Sequence, residues 1–172
     1  MIFKRLIRKA PAPERRLYEA IVAAARHPVP YAEWGVADTL DGRFDMITLH
    51  MFLVLDRLRS GATRFRQDLV DEFFSDMDRS LRQMGVGDLS VGKKVRKMAE
   101  AFYGRISAYH AALPQGRDAL IAALARNVYP DGFNDSSAGN LADYVITVRQ
   151  SLAAETPARV MAGCIVFPEP RP

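Results

Sequence analysis

A few side chains in this sequence could do chemistry, and their spacing decides which chemistry each can support. His27, His50, His110 and the single cysteine, Cys164, are metal and haem ligands by type, but they are scattered along 172 residues. Zinc sites draw Cys and His from short paired spacings, and none occurs here; nor do the histidines form a recognisable haem-ligand pair. His50 lies in the run Phe44 to Leu55, interrupted only by Asp45, Thr48 and His50 itself, and a lone histidine there reads as a hydrogen-bonded core residue. Asp68, Glu72 and Asp76 recur at steps of four, which puts them on one helix face. A carboxylate di-metal bundle would also need a Glu-x-x-His on a neighbouring helix, which the sequence lacks, so the three read as a solvated acidic face. Asp78 and Arg82 have the spacing of an ordinary helical ion pair. Gly85-Val86-Gly87 has too few glycines, and no preceding strand, for a dinucleotide loop. No constellation implies a reaction, a metal or a cofactor.

One basic cluster stands apart. Lys93, Lys94, Arg96 and Lys97 open a helix, with Arg105 two turns on, and positive charge at a helix start opposes the macrodipole. The cluster reads either as a solubilising face or as a surface for an acidic partner or a phosphate group.

The elements that position these residues are helices. The composition, 49% apolar and 26% charged, fits one globular domain large enough for its own core. The one cysteine rules out an internal disulfide framework and points to a reducing compartment. No uncharged apolar run reaches the ~18 residues of a membrane span. Glu14 to Arg26 carries an apolar stripe behind Pro13, and the segment 27–36, with two prolines and the only tryptophan, reads as an ordered loop in which Trp34 anchors packing. Phe44 to Leu55 is apolar on nearly every face, so it is expected to be the hub of the core. Leu69, Phe73, Met77, Leu81 and Met84 mark the next helix, with Gly85 placed to cap it. Val91, Val95, Met98, Phe102, Ile106, Tyr109 and Leu113 mark another, opened by Ser90. Two more follow, around Leu120 to Val128 and around Leu141 to Leu152, the latter capped from Asn134 to Ser137. The expectation is an all-α, single compact domain of about six helices over 14–172. A short extended C-terminal tail either folds back on the bundle or is offered to a partner.

The net charge of +4 is concentrated at one end. Residues 1–16 carry +5 and the remaining 156 carry −1. A basic arm, 1–13, is therefore expected, with Lys4, Arg5, Arg8 and Lys9 suited to an anionic membrane surface or to nucleic acid such as ribosomal RNA. A solvated tail is the plainer reading of the same residues.

Three blocks carry a family resemblance. They are Gly35-Val36-Ala37-Asp38-Thr39-Leu40-Asp41-Gly42-Arg43-Phe44-Asp45-Met46, then Phe74-Ser75-Asp76-Met77-Asp78-Arg79-Ser80-Leu81-Arg82-Gln83-Met84-Gly85-Val86-Gly87-Asp88, then Lys97-Met98-Ala99-Glu100-Ala101-Phe102-Tyr103-Gly104-Arg105. Together they cover 36 of 172 residues, and they resemble the ubiquinol-cytochrome c chaperone family in a bacterial, alphaproteobacterial-type form. The resemblance implies a non-enzymatic, all-helical chaperone, without cofactor or DNA partner, that binds newly made cytochrome b and assists assembly of the bc1 complex. In mitochondria such a chaperone works with a small partner protein near the ribosomal tunnel exit. The rival classes are a helical adaptor for another membrane complex and a small haem- or metal-dependent enzyme. The expected partner surface is a groove beside the hub bearing Asp38, Arg43, Asp45, Asp76, Asp78, Arg79, Lys93, Lys97 and Arg105. Cytochrome b or other bc1 subunits are the expected partners, ribosome contact a further one, and the expected location is the cytoplasm, peripheral on the inner membrane's cytoplasmic face.

Overall fold

The computed structural model describes residues 11–130, 132 and 135–171. The arm residues Lys4, Arg5, Arg8 and Lys9, and Asn134 of the expected cap, lie outside them. Eight α-helices follow one another among the described residues: α1 (Pro13–Ala25), α2 (Pro28–Ala32), α3 (Leu40–Arg57), α4 (Thr63–Gln83), α5 (Asp88–Ala112), α6 (Arg117–Val128), α7 (Asp135–Ala154) and α8 (Pro157–Met161). A 3-10 turn, Leu113–Gln115, joins α5 to α6. The six longer helices are those the apolar periodicity predicts. α2 is the departure, since a loop was expected there. Its prolines fall in the first turn, where backbone N–H groups have no helical acceptor to lose, and His27 Nδ1 accepts from the Val29 N–H at 3.3 Å.

α3 is the hub. Twelve of its 18 residues are buried, including Asp45, Thr48 and His50. It packs against α1, α5, α6 and α7. Thr39 starts it, its Oγ1 accepting from the Gly42 N–H at 3.1 Å. At Gly42 the helix meets its own entry loop: a Cβ there would lie 1.9 Å from the Ala37 carbonyl oxygen. Only glycine permits that approach.

α4 stops as expected at Gly85, which takes φ +82°. The Val86 N–H reaches back to the Leu81 carbonyl (3.1 Å) and the Gly85 N–H to that of Arg82 (3.0 Å). This pair of bonds satisfies the last carbonyls of the helix. Phe73 then ties four helices together, with ring centroids 6.3 Å from Tyr18 (α1), 5.9 Å from Phe44 (α3) and 5.0 Å from Phe102 (α5). α3 and α5 run parallel: Asp45 meets Arg105, Phe52 meets Tyr109, and Asp56 meets His110.

Trp34 is 2% exposed and stacks at a tilt on Tyr144, 5.7 Å away, which makes it the packing anchor expected. The C-terminal tail folds back on the bundle: Ile165 is buried, and the Phe167 ring sits 5.5 Å from His50.

Replacing Gly42 by alanine forces the Ala37–Thr39 turn away from α3. Urea unfolding is expected to show a loss of about 1–3 kcal/mol, the range typical of overpacking; a Gly42→Ala protein as stable as wild type would contradict the close approach.

Candidate functional site

Two kinds of feature emerge around α5: polar side chains sealed inside the bundle, and apolar floors left open on its surface. The sealed group begins with Asp45, whose side chain is 5% exposed. Arg105 Nη2 lies 2.7 Å from its Oδ1, yet off the hydrogen-bond direction, so the contact is an ion pair without a well-aligned bond. The Arg105 guanidinium also stands 5.4 Å over the Phe44 ring. Burial pushes the Asp45 carboxyl up to about 7, against the pull of Arg105 and with a smaller upward push from Asp41. Tyr109 and Thr48 are buried nearby with hydroxyls that find no hydrogen-bond partner among the described residues.

His50 is satisfied instead. Its Nδ1 lies 2.8 Å from the Met46 carbonyl and its Nε2 2.8 Å from the Tyr144 hydroxyl. The arrangement fits a neutral ring that donates from Nδ1 and accepts at Nε2. Burial lowers its pKa to about 4. This is the hydrogen-bonded core histidine read from the sequence.

Three surface grooves involve the hub and its neighbours. The first, about 370 Å³, lies among α3, α4 and α5. Its floor is Phe52, Leu55, Val70, Phe102 and Ile106, and Arg59, Arg66, His110 and the half-exposed Tyr103 stand round it. Arg59 Nη1 and His110 Nε2 are 2.8 Å apart, which fixes one rim. The second, about 360 Å³, lies at the other end of α3, over Phe44, Leu81, Met98 and Ala101, with Lys94, Lys97 and Arg105 as its basic edge. The third, about 540 Å³, is lined by Tyr31, Asp38 and Arg43 among others.

The residues expected at one rim are therefore distributed. Asp38 and Arg43 pair with each other at 2.7 Å on the third groove. Lys97 and Arg105 edge the second, and Lys93 is exposed on α5. Asp45 is in the interior, because a carboxylate on the inward face of α3 finds Arg105 there. Asp76 accepts from the Tyr18 hydroxyl at 2.9 Å and pairs with Arg79 at 3.3 Å. Asp78 forms the expected pair with Arg82, at 2.6 Å. The acidic face of α4 is not fully solvated either: Glu72 binds Arg15 at 2.8 Å, so its carboxylates join α1 to α4. Sequence reasoning missed Arg59, Arg66, Tyr103 and His110. The available signal was Tyr103, Ser107 and His110, a stripe running beside the Phe102–Ile106–Tyr109 core line.

The helical bundle thus carries open, apolar-floored grooves with polar rims. Comparisons with known proteins give its family. Residues 32–167 match the family described as ubiquinol-cytochrome c chaperone, and the chain belongs to that family. The crystal structure of the Cbp3 homolog from Brucella abortus is similar at 42% identity and a TM-score of 0.80, over 91% of this chain and 89% of that one. The ubiquinol-cytochrome-c reductase complex assembly factor 1 of Xenopus laevis is 26% identical over 117 residues, which are 66% of this chain and 58% of that protein. The chain thus spans little more than half the length of that curated relative.

The two buried titrating groups on α3 oppose each other. Asp45, raised from 3.8 to about 7, adds stability at low pH that is lost as pH rises through 7. His50, lowered from 6.5 to about 4, adds stability at neutral pH that is lost as pH falls toward 4. Between about pH 4 and 6.5 each contributes a slope of up to ~1.4 kcal/mol per pH unit, with opposite signs. Relative to wild type, Asp45→Asn is expected to steepen the loss of stability on acidification and His50→Gln to reverse it. Urea titrations at four pH values between 4.5 and 7.5 check this, and parallel curves for all three proteins would rule it out.

Proposed function

We propose that this protein is an assembly chaperone of the ubiquinol-cytochrome c reductase (bc1) complex that holds newly made cytochrome b until it is incorporated. Family membership supports the bc1 assignment. The observation that carries the physical reading is the groove over Phe52, Leu55, Val70, Phe102 and Ile106. A segment of an integral membrane protein is apolar, and before insertion it exposes surface that water disfavours. Each Leu- or Phe-sized side chain it lays on that floor contributes about 1.5–3 kcal/mol. Two or three such anchors, set against the cost of association, give a hold that is reversible. The rim, with Arg59, Arg66 and His110, suits carboxylates or backbone carbonyls at the edge of the apolar stretch. The protein acts by binding and release, with no chemical step.

None of the helices among the described residues is long and apolar enough to cross a membrane. Attachment to the bilayer is assigned instead to the basic arm, 1–13, with Lys4, Arg5, Arg8 and Lys9 facing anionic headgroups at about 1 kcal/mol each. The chaperone domain, 14–172, then works at the cytoplasmic face, where the client emerges.

Pull-down from the native host is expected to enrich cytochrome b, and Tyr103→Ser/Ile106→Ser to reduce its recovery at least fivefold while Lys94→Ala does not. Absence of cytochrome b from the wild-type pull-down would sink the client; full recovery with the double variant would sink the groove. Separately, charge reversal of Lys4, Arg5, Arg8 and Lys9 is expected to weaken co-sedimentation with anionic liposomes, and unchanged sedimentation would remove the arm's role.

A further inference from the structure

The turn from α4 to α5 forms a convex corner with an unusual surface. Leu89 is fully exposed and Met84 is 53% exposed, on either side of the reversal between Gln83 and Asp88. Along α5, Lys93 and Arg96 follow Leu89 at steps of four and three, which puts all three on the side away from the buried Val91 and Phe102. Lys97 stands beside this stripe, and Lys94 lies further round the helix, both exposed at the edge of the groove over Phe44 and Leu81. The acidic residue that opens α5, Asp88, is held by Arg82, which also binds Asp78. Among the described residues none of the four cations has an ion-pair partner. The four cations lie in the second and third turns of α5, past the reach of the dipole at its start, and a leucine standing in water gives up its burial energy. Neither feature serves the stability of the fold.

We infer that this corner docks on an anionic lipid bilayer, with Leu89 and Met84 entering the headgroup layer and Lys93 and Arg96, with Lys97 beside them, facing lipid phosphates. The charge is complementary to such a surface, and the shape selects it over the alternatives. An apolar tip on a convex turn needs a receptor that closes round it; an acidic protein segment would have to supply a matching pocket. RNA offers phosphates but nothing for Leu89 to enter. A bilayer interface supplies both charge and a yielding apolar layer. The site is separate from the N-terminal arm, and it does not depend on the identity of the client.

The test uses the full chain and liposomes of pure phosphatidylcholine or with 30% phosphatidylglycerol. Wild type is expected to sediment with the anionic vesicles only. Lys93→Glu/Arg96→Glu and, separately, Leu89→Ser/Met84→Ser are expected to lower the partition coefficient on the order of tenfold with unchanged thermal melting, because every altered side chain is exposed. In a Leu89→Trp variant, tryptophan emission is expected to shift to the blue on adding anionic vesicles, above the constant signal of buried Trp34. Undiminished binding by either double variant would overturn the inference, as would an unmoved emission in Leu89→Trp. So would tighter binding of wild type to a polyglutamate peptide or an RNA oligonucleotide than to the vesicles. A failed pull-down of cytochrome b would leave these readouts untouched.

Discussion

The fold depends on one helix that has no side to give to water. From Phe44 to Val54 α3 is buried throughout, so neighbours must cover it all round, and α1, α5, α6 and α7 do so. Cover is thinnest along the flanks of α5, where half-buried Val95, Met98 and Ile106 replace the fully buried Val91, Phe102 and Tyr109. Two of the grooves open there. The grooves follow from the geometry of enclosing a hub: they are exposed core and not a separate device.

The same enclosure explains the polar groups inside. Asp45 and Thr48 share one side of α3 and His50 takes another, and in solvent any of them would be unremarkable. Enclosed, each fixes a rotation of the helix: His50 toward Tyr144 of α7, Asp45 toward Arg105 of α5. Turning α3 by one residue would leave a buried charge and a buried imidazole without partners, at a cost of several kcal/mol. Arg57 performs a related task at the end of the helix, donating to the Leu152 and Glu155 carbonyls (2.8 and 2.5 Å) and so closing the last turn of α7. Hydrophobic burial chooses the hub, and the polar side chains choose its orientation.

Much of this is legible in the sequence, for identifiable reasons. A long apolar run with few polar breaks can only be an enclosed helix, and steps of three and four in α4 and α5 leave little choice of period. Gly85 reads as a cap because a left-handed residue must end a helix whose carbonyls turn back. α2 did not read as a helix, since two prolines carry the same signal whether they start a turn or a loop. Asp45 reads as part of a partner surface because its pairing with Arg105 runs between two helices, and periodicity says nothing about pairing across helices. The grooves were hidden for a related reason: an apolar stripe shows which face turns inward, and the tertiary packing alone shows where the cover stops. The resemblance blocks show the same division. Gly42 owes its identity to the Ala37 carbonyl, Asp76 ties α4 to Tyr18, and Leu81 and Met98 floor a groove.

The path of the last described residues has a consequence for how the molecule is made. α8 packs on α1, Gly163 lies against the backbone of Arg16 and Leu17, and Phe167 closes over His50. Translation therefore delivers the hub long before it delivers its final cover. While α4 to α7 are being synthesised, α3 is a greasy, partly clothed segment of the kind that other cellular chaperones retain. A chain terminated near Glu155 would keep the cover that α1, α5, α6 and α7 give the hub but would lose α8 from α1 and Phe167 from over His50, leaving an apolar seam open on the bundle.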